Sequence, residues 1–235
     1  IGAGICEVFA EEGVNVLVNY RSDPQICEPF AKRIAEENGV KTIAVQADIG
    51  IESEVLRVYN TALETFGTVD IVVNNAGAMG FRMIEDMSLE EWRRFEATNM
   101  EGMFLMCREH IRYCYANQKK GHIVNVLSKA AVSTNSVGNT HYMATKGGGL
   151  SLTKGIANEC TSKGIICNAI LPGYVVNSSA DYERGTEEDK RKQKLLPLGK
   201  YGQPRDMGNI VAFICSEKAS QVVGSIIDCT GGLIH

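Results

Sequence analysis

Residues 122–149 read HIVNVLSKAAVSTNSVGNTHYMATKGGG, and the reading of this stretch decides the fold. The apolar run His122 to Leu127 has the composition of a buried strand. Ser128 stands at its carboxyl end, a polar loop follows, and a helix opens near Tyr142 and carries Lys146. Positions i and i+4 lie one turn apart on the same helix face, so the phenol and the ammonium project into the same space. A phenol with an ordinary pKa of about 10 is a poor general base at neutral pH, and a nearby cation favours the phenolate. A serine hydroxyl delivered from the strand end can hydrogen-bond a carbonyl or carbinol oxygen beside the phenol. Together the three groups form a proton-transfer site for a C–OH/C=O couple. On spacing alone a half-buried tyrosine beside a solvated lysine is the better reading, so the surrounding sequence has to decide.

Outward from this stretch, strands and helices alternate. Val14 to Tyr20 (VNVLVNY) has strand composition, Pro24 suits the first turn of a helix running to Gly39, and KTIAVQADIG gives a strand ending at Asp48. Glu52 to Phe66 is an amphipathic helix closed by Gly67, and VDIVVNNAG is a strand running into Asn74, Asn75, Ala76 and Gly77. Ser88 and Glu91 form a capping box for a helix that is interrupted near Asn99, because a mid-helix asparagine competes for backbone hydrogen bonds. The helix from Tyr142 to about Lys163 is followed by the strand IICNAILPG, a helix with Pro204 near its start, and a last strand in VGSIIDCTGG. This order predicts a parallel doubly wound α/β sheet with ligands at the carboxyl ends of the strands.

The segments IVNVLS, YMATKGG, NNAG (Asn74 to Gly77) and LPGYVV (Leu171 to Val176) resemble, in order and spacing, the short-chain dehydrogenase/reductase family, and the resemblance covers essentially the whole chain. It implies a single NAD(P)-binding Rossmann-like domain over residues 1–235, with a substrate lid at about 174–197. It implies hydride transfer between a nicotinamide and a secondary alcohol or ketone, with Tyr142 as general acid/base. Lys146 would lower the phenol's pKa and hold the nicotinamide ribose, Ser128 would orient the substrate oxygen, and Asn99 would support a proton relay. On the cofactor side it implies Gly2, Asp48 at the adenine, Asn75, Ala76, Gly77, Tyr142, Lys146, Pro172, Gly173, Val175 through its backbone, and Asn177. At the end of the strand Val14 to Tyr20, the position where an acidic residue favours NAD holds Tyr20, followed by Arg21. That leans to NADP, with NAD the alternative. The family also implies a homodimer or homotetramer, while the scattered cysteines, read as reduced thiols, point to a cytoplasmic protein.

Three departures stand out. The serine lies fourteen residues before the tyrosine where the family usually has thirteen, which puts Lys129 at the usual position. An extra residue in the loop 130–141 would leave Ser128 in its role; otherwise Lys129 would place a second cation at the site. Asn177 stands where a threonine often follows the Pro-Gly pair, and an amide can make the same contact. Ile1 and Gly2 match only the last two positions of the family's Thr-Gly-x-x-x-Gly-x-Gly turn, so the first strand and most of the glycine loop are not in this sequence. Without that strand, two inner edges of the sheet would be unpaired, which predicts a further N-terminal segment of about ten to twenty residues.

Composition bounds the rest. The chain has 235 residues, 44% hydrophobic and 22% charged, as expected of one globular domain. A net charge of −4 gives no reason to expect nucleic acid or an anionic membrane as partner. The eight cysteines form no Cys-x-x-Cys pair and no metal-ligand spacing with histidine, so they read as reduced thiols. A 3-oxoacyl-[acyl-carrier-protein] reductase is the alternative to a sugar, polyol or steroid alcohol dehydrogenase. For that reading Arg82, Arg93, Arg94 and Lys129 are candidates for a basic patch. A non-catalytic nucleotide-binding module is a further reading, disfavoured because Tyr142 and Lys146 are both present.

Overall fold

The computed structural model describes residues 1–133, 137–176 and 185–234. Its strands are β1 Val16–Tyr20, β2 Thr42–Gln46, β3 Ile71–Asn74, β4 Gly121–Val126, β5 Ile165–Pro172 and β6 Ile226–Cys229. Its α-helices are α1 Gly2–Glu11, α2 Pro24–Asn38, α3 Glu52–Phe66, α4 Leu89–Glu96, α5 Gly102–Ala116, α6 Thr140–Cys160, α7 Glu187–Lys194 and α8 Pro204–Ile214. Every named pairing is parallel: β1 with β2, and β3-β4-β5-β6 in that order. Parallel neighbours need a crossover, and the helices that supply it cover the faces of the sheet. This is why β4 and β5 read as nearly continuous apolar runs and are buried almost throughout.

Two apolar layers sandwich the central strands. Ile123, Ile165, Cys167 and Ala169 pack with Met103 and Cys107 of α5 and Ile156 of α6. Val124, Val126 and Ile170 pack with Ile5 and Phe9 of α1 and with Met207, Val211 and Ile214 of α8. Helices α1 and α8 touch through glycine: a Cβ on Gly208 would overlap the Gly4 carbonyl oxygen, and one on Gly4 would overlap the Pro204 carbonyl group. All eight cysteines carry free thiols, and Cys107, Cys114, Cys160 and Cys167 are buried. Burial pushes the Cys107 thiol up to about 12.

The predicted elements are present, with shifts at their ends. Helix α6 opens at Thr140, ahead of Tyr142, and ends at Cys160 with a 3-10 turn over Thr161–Lys163. The Ser88 capping box closes both ways: Glu91 N–H donates to Ser88 Oγ at 3.1 Å, and Ser88 N–H to Glu91 Oε2 at 3.3 Å. The two ladders are separate, and between the β1 and β3 edges lies a cavity of about 720 Å³. Val16, Val18, Ile71 and Val73 line it, together with Phe9 and Met106. No helix among the described residues is long and apolar enough to cross a membrane.

Candidate active site

Most of the residues singled out in the sequence stand where strands end. Arg21 follows β1, Asp48 lies two residues past β2, and Asn75, Ala76 and Gly77 follow β3. Ser128 lies two residues past β4, Pro172 ends β5 and Gly173 follows it. This carboxyl edge is where open α/β sheets bind ligands.

Ser128 keeps extended backbone (φ −169°, ψ 156°) as the strand gives way to a short 3-10 turn, and its Oγ accepts the Ala130 N–H at 3.1 Å. The same side chain lies near enough to the Tyr142 phenol to favour its phenolate. The fourteen-residue spacing therefore still brings Ser128 to the tyrosine. Lys129 turns elsewhere, with its Nζ 4.8 Å from the centroid of the Tyr174 ring.

Lys146 lies one turn after Tyr142, with its Nζ 5.7 Å from the centroid of the phenol ring. The ammonium is buried and donates to the Val126 carbonyl oxygen at 2.9 Å. Burial disfavours its charged form and depresses its pKa to about 8. Burial also holds the Tyr142 phenol above its ordinary range, and the nearby Ser128 hydroxyl acts in the opposite direction. In the chain by itself desolvation of the phenolate dominates, and the ammonium is directed at the end of β4.

Asn99 lies in a π-helical turn, Ala97–Glu101, between α4 and α5, which is the form the predicted interruption takes. Its amide grips Ala78 from both sides: Oδ1 accepts the Ala78 N–H at 2.7 Å, and Nδ2 donates to the Ala78 carbonyl at 2.9 Å. Nδ2 also donates to Thr145 Oγ1 of α6 at 3.3 Å. A Cβ on Gly77 would lie 3.3 Å from Asn99 Oδ1 and 3.4 Å from Lys146 Nζ. Gly77, Asn99 and Lys146 thus converge, and the absent side chain at Gly77 keeps the backbone open beside the ammonium.

The remaining positions are more dispersed. A Cβ on Gly2 would come within 2.6 Å of Asn75 Nδ2, so these two adjoin. Ala76 is exposed. The Asp48 carboxylate accepts the Gly50 N–H at 2.9 Å, a local turn with no bond to the Tyr142 cluster. Arg21 is exposed at the end of β1 and forms no ion pair among the described residues. Gly173 packs tightly on the strand end after β6, since a Cβ there would lie 2.9 Å from Thr230 Cα. Tyr174 and Val176, on either side of Val175, pair with Gly202: Gly202 N–H donates to Tyr174 O at 3.0 Å and Val176 N–H to Gly202 O at 2.9 Å. Asn177 lies outside the described residues. So do residues 178–184 of the expected lid, whose described portion contains α7.

Beneath the site lies a polar network in which sequence reasoning missed Asn125 and Thr153. Asn74 Nδ2 donates to Asn125 Oδ1 at 2.9 Å, and Asn125 Nδ2 donates to Thr153 Oγ1 at 2.9 Å, tying β3, β4 and α6 together. The signal was Asn125 itself, an amide inside the apolar run IVNVL, since a buried polar group needs a partner. His141, next to Tyr142, was also missed. It is buried with its ring centroid 4.1 Å from that of Phe95.

These residues fit a nicotinamide dinucleotide. Gly77 leaves backbone bare at the strand edge, and Lys146 presents a buried ammonium beside it. The parallel sheet, the carboxyl-edge site and the Ser128–Tyr142–Lys146 arrangement together define a dinucleotide-dependent oxidoreductase. A family model described as enoyl-(acyl carrier protein) reductase matches residues 1–234. The chain is 36% identical over 235 residues to glucose 1-dehydrogenase 2 of Bacillus subtilis (strain 168), covering 99% of this chain and 90% of that one. It is 35% identical over 236 residues to a 3-oxoacyl-[acyl-carrier-protein] reductase of Staphylococcus aureus, covering 99% and 93%. Among solved structures, a blue fluorescent protein from a metagenomic library, in complex with NADPH, superimposes with a TM-score of 0.89 at 25% identity, over 100% of this chain and 93% of that one. The chain belongs to the short-chain dehydrogenase/reductase family and is an NAD(P)-dependent oxidoreductase.

Proposed function

We propose that Tyr142 exchanges the hydroxyl proton of a secondary alcohol, and that the reaction interconverts this alcohol with its ketone. The observation that carries the reading is the placing of the Ser128 hydroxyl near the Tyr142 phenol at the end of β4, with the Lys146 ammonium 5.7 Å from the phenol ring. When bound, the nicotinamide gives or accepts the hydride. In the reduction direction the phenol donates its proton to the developing alkoxide, and in oxidation the phenolate takes it back. Ser128 holds the substrate oxygen beside the phenol. Lys146 holds the ribose and its charge favours the phenolate once the site is filled. Asn99 fixes the 76–78 segment and supports proton passage to Lys146.

For the cofactor, Asn75, Ala76, Gly77, Gly173 and Val175 form the edge on which the nicotinamide half lies, and Gly2 and Asp48 serve the other half. Arg21 meets a 2′-phosphate, which selects NADP over NAD. The whole chain acts as one such domain, with the segment 174–197 as its substrate lid, and assembles as a homodimer or homotetramer in the cytoplasm. A 3-oxoacyl-[acyl-carrier-protein] reductase is the second reading, supported by the 35% identity to the Staphylococcus aureus enzyme. The basic side chains considered for a carrier surface are partly engaged: Arg82 pairs with Glu91 at 3.0 Å, and Arg94 lies over Phe95.

The test is turnover of acetoacetyl thioesters, sugars, polyols and hydroxysteroids with NAD and NADP compared. Turnover of one class with an NADP preference that Arg21→Ala weakens supports the reading. Nucleotide binding with no turnover of any class overturns it.

A further inference from the structure

Lys129 is the charged residue at the site that the chemistry above leaves without a task. It directly follows Ser128, yet the serine's extended backbone sends successive side chains to opposite sides. Ser128 reaches Tyr142, and Lys129 reaches Tyr174, two residues past β5. Strands β4 and β5 are direct neighbours, so the lysine spans the gap between two adjacent strand ends at the edge where substrate must enter. Its ammonium forms no ion pair with a carboxylate among the described residues, and its contact is the face of a half-exposed tyrosine.

Met79, Phe81 and Val137 are all exposed on the segments that flank the site. Phe81 lies against Gly138, and Arg82 N–H donates to Gly138 O at 2.8 Å, so these two segments form one wall. A ring face is a weak partner for an ammonium compared with a carboxylate, which accepts charge-assisted hydrogen bonds.

We infer that Lys129 is a specificity-determining residue, and that the enzyme prefers a ketone or secondary alcohol bearing a carboxylate, which replaces the Tyr174 ring as the partner of the ammonium. This rests on the proposed alcohol/ketone chemistry at Tyr142. The test compares acetoacetate with ethyl acetoacetate, which share the 3-oxo group and differ in charge, for the unaltered protein, Lys129→Met and Lys129→Arg. The expected result is an acid-to-ester ratio of kcat/KM that falls at least about tenfold in Lys129→Met, through KM for the acid, and is largely restored in Lys129→Arg. If neither compound is reduced, acetoacetate is tested as a competitive inhibitor against any ketone that is turned over. Inhibition weakened about tenfold by Lys129→Met supports the inference. A ratio or an inhibition constant that Lys129→Met leaves in place overturns it, while the Tyr142 reading stands wherever Tyr142→Phe still abolishes turnover. Absence of turnover on every ketone and alcohol overturns both.

Discussion

At the scale of single residues, two buried groups oppose each other in the site. Lys146 is depressed to about 8 and Tyr142 is raised, both by burial. Tyr142→Phe removes the proton carrier but keeps the ring's shape. Turnover should fall by at least about 10²–10⁴-fold with nucleotide affinity nearly unchanged, as titration by fluorescence would show; substantial residual activity would remove Tyr142 from its role. Lys146 also makes a prediction about stability. Its folded pKa lies below the value near 10.5 expected of an unfolded lysine, so between about pH 8 and pH 10.5 the unfolded chain binds more protons than the folded one. Stability therefore rises with pH across that window. At pH 7 the buried charge costs roughly 3 kcal/mol. Compared with Lys146→Met by urea unfolding at pH 7 and pH 10, the natural chain should gain on the variant at the higher pH. A difference independent of pH would contradict burial of the ammonium. The sequence showed Tyr142, Lys146 and Ser128 because they sit at fixed offsets on one helix and one strand end. It could not show the direction of the phenol's shift, which depends on how completely the pair is desolvated.

At the scale of elements, the π-helical turn Ala97–Glu101 lets Asn99 reach across to Ala78. One additional residue in a helical turn redirects the side chains that follow, and such turns are frequent at functional sites. Asn99→Ala removes both hydrogen bonds from Ala78, at about 2–3 kcal/mol, which lowers Tm by about 5–10 °C. It should also loosen the 76–78 segment enough to weaken nucleotide binding. An unchanged melting temperature would show that this clamp holds nothing. The interruption itself was legible from a mid-helix asparagine, and the boundaries of α3 were legible from its amphipathic pattern and the closing Gly67, whose φ of +77° an L side chain rarely adopts. The Asn74–Asn125–Thr153 network was not legible, because its bonded pairs are 51 and 28 residues apart and meet only when the strands are in register.

At the scale of the whole molecule, the α1–α8 contact joins the two ends of the sequence across one face of the sheet. Because Gly208 faces backbone at Gly4 rather than a movable side chain, Gly208→Ala should destabilise the fold by about 2–3 kcal/mol through forced separation of the helices. Thermal melts would detect this, and a variant as stable as the natural chain would mean the crossing has slack. Neither glycine announces this role in the sequence, where Gly4 and Gly208 read only as weak helix formers. The core has a consequence of another kind. Reagents such as maleimides attack the thiolate, and Cys107, Cys114, Cys160 and Cys167 are both sealed from solvent and, at Cys107, held at about 12. Their labelling must wait until the core opens. The slow fraction of thiol labelling, followed by mass, should therefore keep time with global unfolding: the chain carries its own stopwatch, wound by the same packing that hides it.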